Sequence, residues 1–178
     1  MTAIELLIIV AAIGLLLLVT VPGSSMLIER YHLNAASNDL ARGLSLARSE
    51  AIRRGSTVRM CPSLDGRSCQ AGGDWSHGWL VFTDGNADGV VQEIELIESF
   101  DGPAKEIRIV GTGPVRQGAS FDLSGLIGDF EASSQADGGE FLVCYVSSHV
   151  SARTVVVDRE GWVNVIPSET GNCGAATG

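Results

Sequence analysis

One carboxylate stands in an otherwise apolar run. The chain opens Met1-Thr-Ala-Ile-Glu5, and from Leu6 to Val21 the only polar residue is Thr20. A charge in hydrocarbon is costly unless it is paired, so Glu5 calls for a cationic partner. A second set of acids, Asp84-x-Asn86-x-Asp88-Gly89-x5-Glu95, fits the calcium-loop pattern residue for residue. Oxygen ligands at alternate positions can wrap a hard cation. Calcium loops lie between helices, however, whereas strand-like segments flank this one. The plainer reading is an acidic, Gly-rich hairpin turn with no cofactor, and calcium at Asp84–Glu95 is the competing expectation.

Other reactive side chains form no catalytic set. Ser147-Ser148-His149 with Asp158 has the residue types of a nucleophilic triad, but there is no Gly-x-Ser-x-Gly elbow. His32 and His77 stand apart, and His77 falls in a turn between Ser76 and Gly78. Trp75, Trp79 and Trp162 read as core aromatics before they read as a ligand platform. The expectation is a protein that is not an enzyme. Cys61, Cys69, Cys144 and Cys173 contain no Cys-x-x-Cys pair, which speaks against zinc. Four cysteines allow three pairings. The sequence-local one, Cys61–Cys69 with Cys144–Cys173, is expected, and it requires an oxidising compartment.

The elements that carry these residues fall into two textures. Residues 1–54 read as one long helix, or two coaxial pieces joined near Pro22, where a missing backbone donor predicts a kink. Gly14 is a second weak point. The 16 residues from Leu6 to Val21 span about 24 Å of helix, and Ala3 and Ile4 extend them. Leu33, Ala36, Leu40, Leu44, Ala47 and Ala51 then recur at helical spacing and make a stripe. Gly55-Ser56 ends the pattern. Beyond it, strand-like segments are separated by Gly, Asp, Asn, Ser and Pro: Thr57–Cys61, Trp79–Thr83, Glu93–Glu98, Ile107–Val110, Phe141–Val146, Thr154–Asp158 and Trp162–Ile166. Asp158-Arg-Glu-Gly161 reads as a hairpin turn. Gly111–Pro114 and Ser133–Gly139 read as loops.

The fold class is therefore α+β: a long, kinked N-terminal helix packed on an antiparallel sheet or β-sandwich head. The organisation is 1–23 for an apolar half, membrane-embedded or in a filament core, 24–55 for an amphipathic half, and 56–178 for the head. Charge is as uneven as hydropathy. Residues 1–60 hold six arginines against four acids, a net of +2, while residues 61–178 hold six basic residues against 17 acids, a net of −11. A head this acidic excludes nucleic acid as a leading partner.

Ile4-Glu5-Leu6-Leu7, in an apolar run that closes at Pro22, resembles the N-terminus of the type IV pilin family, whose mature chains carry glutamate and proline at these distances from the first residue. Ala47–Ile52, Val58-Arg-Met-Cys-Pro62 and Trp75-Ser-His-Gly-Trp79-Leu-Val-Phe-Thr-Asp84 are similar to minor pilins of the FimU/FimT type and to GspH-type pseudopilins. The family usually begins with phenylalanine, where this chain has Met1, and its short basic leader is absent. The resemblance implies a mature chain, N-methylated at Met1. It implies that Glu5 neutralises the N-terminal amine of a neighbouring subunit. It also implies other minor and major pilins and an inner-membrane assembly platform as partners. The location expected is the bacterial inner membrane with a periplasmic head, then the pilus or cell surface. FimT-like relatives capture DNA through basic residues near the C-terminus, but Asp158-Arg-Glu-Gly-Trp162 sets one arginine between two acids. The function implied is a minor pilin in pilus initiation or the tip complex. The alternatives are a type II secretion pseudopilin and a tip adhesin or ligand-binding module.

Overall fold

In the computed structural model the stripe lies along one face of a helix, and all six members are at most 3% exposed. The residues described are 2–20, 24–86, 88–130, 136–146 and 152–168. Among them two helices, α1 (Ala3–Thr20) and α2 (Ser24–Arg54), precede nine strands. Pro22, the expected kink, lies outside the described residues, and α1 runs unbroken through Gly14. The chain divides into two compact units, Met1–Tyr31 and His32–Gly178. The division falls inside α2, immediately before the buried stripe begins at Leu33.

In the first unit, α1 is apolar on every side. Ile4, Leu6, Leu7, Ile8, Ile9, Val10 and Ile13 are 45–68% exposed. Among the described residues no helix is long and apolar enough to cross a membrane. The 18 residues of α1 reach about 27 Å, against a hydrocarbon core of about 30 Å, and they include Glu5 and Thr20.

In the second unit α2 ends at Arg54. Gly55 takes a positive φ of 62°, and the N–H groups of Gly55 and Ser56 both donate to the Ala51 carbonyl. A left-handed residue that gathers the last carbonyls is the usual way to stop a helix. The strands are β1 (Val58–Pro62), β2 (Gly78–Thr83), β3 (Leu96–Asp101), β4 (Ile107–Thr112), β5 (Ala119–Phe121), β6 (Ile127–Asp129), β7 (Gly138–Tyr145), β8 (Ala152–Asp158) and β9 (Val163–Ser168). They form two antiparallel sheets, β3-β2-β1-β5-β6 and β4-β7-β8-β9. Both sheets and α2 share one core, in which the stripe meets Val58, Met60, Trp79, Val81, Ile109, Phe121, Phe141 and Val155. Burying each large aliphatic side chain is worth about 1.5–3 kcal/mol, so this seam holds the helix on the strands.

The centre of the first sheet, β1 and β2, is covered on both faces, which is why β1 is buried at every position. Period-two alternation sends Val58 and Met60 of β1 and Trp79 and Val81 of β2 toward α2. Cys61, Leu80 and Phe82 face the other way into a small second core, against which Cys69, Val91, Leu96 and Phe130 pack. Two loops therefore cover the outer face: a disulfide loop, residues 61–69, and an acidic loop, residues 84–95. On the inner face, Gly43 of α2 admits the Trp79 ring. A Cβ at Gly43 would meet Trp79 Nε1 at 2.7 Å and Met60 Cε at 3.1 Å.

Four segments differ from the sequence reading. Gly138 and Gly139, expected in a loop, open β7 by pairing with Asp158 and Val157 of β8. Glu93–Glu95 belong to a turn, because the Gln92 carbonyl accepts from the N–H groups of both Glu95 and Leu96, and β3 starts at Leu96. Gly111 and Thr112 extend β4, and Gly113–Val115 form a 3-10 turn. The short strands β5 and β6 had no counterpart in the sequence pattern.

Candidate functional site

At the N-terminus, Glu5 occupies the first turn of α1. Its Oε2 accepts a hydrogen bond from the Thr2 N–H at 3.3 Å. Thr2-x-x-Glu5 is the spacing of a capping box, in which the third helical residue reaches back to the N-cap amide. A carboxylate there also opposes the positive end of the helix dipole. Glu5 thus ties down the start of the helix and stands as a negative charge beside the exposed apolar side chains of Ile4 to Ile13. Met1, the other residue expected to act in subunit assembly through its N-terminal amine, lies outside the described residues.

The acidic loop is organised by its own donors. Asp84 is buried at the end of β2, and its Oδ2 lies 2.8 Å from Nε of Arg59. The Arg59 nitrogen is out of line for a hydrogen bond, so the contact is an ion pair in character. Asp84 also accepts from the N–H groups of Asp88 at 3.0 Å and Gly89 at 3.2 Å. Asp88 accepts from the Val90 N–H, the Asn86 amide and the Gln92 amide; the Val90 bond foremost holds its carboxyl below the usual range, against the opposing effect of burial. Arg59 reaches Asp84 from β1, donates to the Phe130 carbonyl at 2.9 Å and lies over the Phe130 ring. The Arg59 guanidinium thus neutralises Asp84, the first acid of the calcium-like motif. One oxygen of half-buried Glu95 keeps no hydrogen-bond partner among the described residues. No group of three or more His, Cys, Asp and Glu side chains able to hold a metal occurs among the described residues.

Cys61 and Cys69 form a disulfide with Cα atoms 5.5 Å apart, closing the loop over the second core. Cys144 is also disulfide-bonded. Cys173, its expected partner, lies outside the described residues.

The remaining candidates are occupied structurally. Ser147, Ser148 and His149 lie outside the described residues. Asp158 closes the β8–β9 hairpin by accepting from the Trp162 N–H at 2.7 Å. Exposed His77 has Nδ1 3.9 Å from Asp74, while Ser76 Oγ accepts from the Ile109 N–H. Trp75 and Trp79 are core residues, but Trp162 is 60% exposed. Its ring is covered by the Arg48 guanidinium at 4.3 Å. Arg48 also donates to the carbonyls of Gly125 and Glu160, joining α2 to two loops. Neither Arg48 nor Arg59 carried a sequence signal, because each partner is remote in the chain.

The family model for the type II transport protein GspH matches residues 36–161. No curated protein matches the sequence. The fold is similar to the type IV minor pilin FimU of Pseudomonas aeruginosa strain PAO1, with a TM-score of 0.60 and 17% identity over 81% of this chain and 98% of that one. A second crystal form of FimU gives a TM-score of 0.59 and 16% identity over 79% and 100% of the two chains. The minor pseudopilin EpsH of the Vibrio cholerae Type 2 Secretion System gives 0.53 and 10% identity over 76% and 97%.

Proposed function

The chain belongs to the GspH family, and on that premise we propose that it is a minor pilin of a type IV pilus, a structural subunit acting in assembly rather than an enzyme. The observation that carries the reading is the contrast within the chain: a head with a closed core, preceded by a helix whose described apolar side chains are exposed. Hydrophobic surface of that extent marks an interaction site. Before assembly the apolar helix rests in the inner membrane, with the head in the periplasm; in the filament the helices of neighbouring subunits cover one another. Glu5 then pairs with the N-terminal amine of an adjacent subunit. Opposite charges about 4 Å apart attract strongly in a low dielectric, and an out-of-register subunit leaves a buried charge unpaired.

The test is to locate the head by immunogold labelling of sheared surface fibres, in cells with and without the gene. Label at fibre ends, with fibres scarce in the deletion, supports a subunit that initiates pili. In the same cells, Glu5→Ala should abolish labelling while the chain stays in the membrane fraction; normal incorporation of that variant sinks the pairing role. Likeness to EpsH supports a second reading, a pseudopilin serving secretion. That reading requires unlabelled fibres and, in the deletion, secreted enzymes trapped in the periplasm.

A further inference from the structure

The two loops over the second core enclose a cavity of about 450 Å³ lined by Gly66, Arg67, Val91, Glu93 and Leu96. That volume is in the range of ligand sites. Its walls are preformed. The disulfide loop is closed by Cys61–Cys69, and Asp65 accepts from the Arg67 and Ser68 N–H groups and from the Ser63 and Ser68 hydroxyls. These bonds, the backbone ones foremost, push the Asp65 carboxyl far below the usual carboxylate range. The opposite wall is the acidic loop, held by Asp84 and Asp88 as described. Gly66, at φ 68°, lies so close to Ser99 of β3 that a Cβ would meet Ser99 Oγ at 2.9 Å.

The acids that organise these walls are thereby used up, while the charges that line the cavity are not. The Arg67 guanidinium and the Glu93 carboxylate are exposed and have no ion pair or side-chain hydrogen bond among the described residues. Between them lie the half-buried aliphatic side chains of Val91 and Leu96. Apolar residues one or two positions along the chain from the lining ones are exposed: Ile94 is 91% exposed, and Leu64 and Val90 are about 60% exposed. A free amino acid would fill the cavity alone, whereas a polypeptide segment is long enough to cover such neighbours as well.

We propose that this cavity is a docking site for a peptide segment that presents one aliphatic side chain flanked by a carboxylate and an ammonium or guanidinium. The aliphatic group packs on Val91 and Leu96, the carboxylate meets Arg67 and the cation meets Glu93. Residues 61–178 carry a net charge of −11, and Arg67 is a cation that lets an acidic side chain approach. The site is independent of the filament in which the subunit serves.

The test uses the full chain, ¹⁵N-labelled in detergent micelles, titrated with acetyl-Asp-Leu-Lys-amide and with the reversed acetyl-Lys-Leu-Asp-amide. One of the two should shift the amides of Gly66, Arg67, Val91, Glu93 and Leu96 saturably, with a dissociation constant near or below about 1 mM. Arg67→Glu should weaken that peptide about tenfold or more. The double variant Arg67→Glu/Glu93→Arg should reverse the preferred order. Both residues are exposed on loops fixed by other groups, and unchanged shifts elsewhere verify the fold. Four results each overturn the proposal. These are no saturable shift with either peptide, equal affinity for free leucine, binding indifferent to both variants, and the same shifts produced by raising protein concentration alone.

Discussion

Each half of this molecule contains a carboxylate among apolar side chains, and the two are treated differently. In the head, Asp84 is buried and Arg59 of the neighbouring strand neutralises it, while the apolar stripe of α2 is covered by the sheets. In α1, Glu5 meets a backbone N–H of its own turn, and the apolar side chains around it are exposed. The head covers its apolar stripe internally. The described apolar side chains of the N-terminal helix stay exposed. In the proposed subunit this separates folding from assembly: one region sets stability and the other sets association.

The sharpest attack on that contrast removes the internal cation. Arg59→Leu strands the Asp84 charge in a buried site and should cost about 3–5 kcal/mol in denaturant unfolding. Adding Asp84→Leu should recover most of it, whereas recovery that fails would assign the loss to packing against Phe130. Next, Leu44→Ala, in the covered stripe, should cost about 2–5 kcal/mol. The matched deletion Ile8→Ala in α1 should leave the melting of the head within about 0.5 kcal/mol of the parent; an equal loss at both positions would break the comparison.

Smaller effects sharpen it. Hydrogen bonds from Arg53 and then Arg54 lower the Glu50 carboxyl from 4.5 to about 2. A depressed carboxyl contributes stability above its ordinary value, and that contribution fades as pH falls from about 4.5 toward 2. Glu50→Gln should therefore flatten the acid side of the stability curve by less than about 1 kcal/mol, since the arginines are solvated. Smallest of all, millimolar Ca²⁺ should give no heat by calorimetry and no rise in melting temperature. A clear rise would show that the ion displaces Arg59 from Asp84.

What could be read in the sequence followed the strength of its periodicity. All six stripe residues are buried because apolar recurrence at helical spacing over 19 residues has no other solution. The longer strands were legible from alternation. The three-residue strands Ala119–Phe121 and Ile127–Asp129 were not, because a run that short has no period to detect. Glu93-Ile94-Glu95 alternates like a strand, yet Ile94 is almost fully exposed in a turn, since a local backbone bond to Gln92 prevailed over pattern. The setting of the acidic motif was hidden for a different reason. Asp84 is paired with an arginine 25 residues earlier, brought close only by pairing of β1 with β2. Trp162 likewise read as core, and its cover turned out to be Arg48, more than 100 residues away.

The connection between α2 and β1 has a mechanical consequence. The helix stops at Arg54, and three residues later the chain enters β1, which is bonded to β2 on one side and β5 on the other. A pull along the helix axis therefore arrives at the middle of a sheet. A strand at the margin can be peeled one bond at a time, but a central strand must break two ladders together. The head is thus fastened to its helix through a strand held on both sides, which suits the proposed filament subunit.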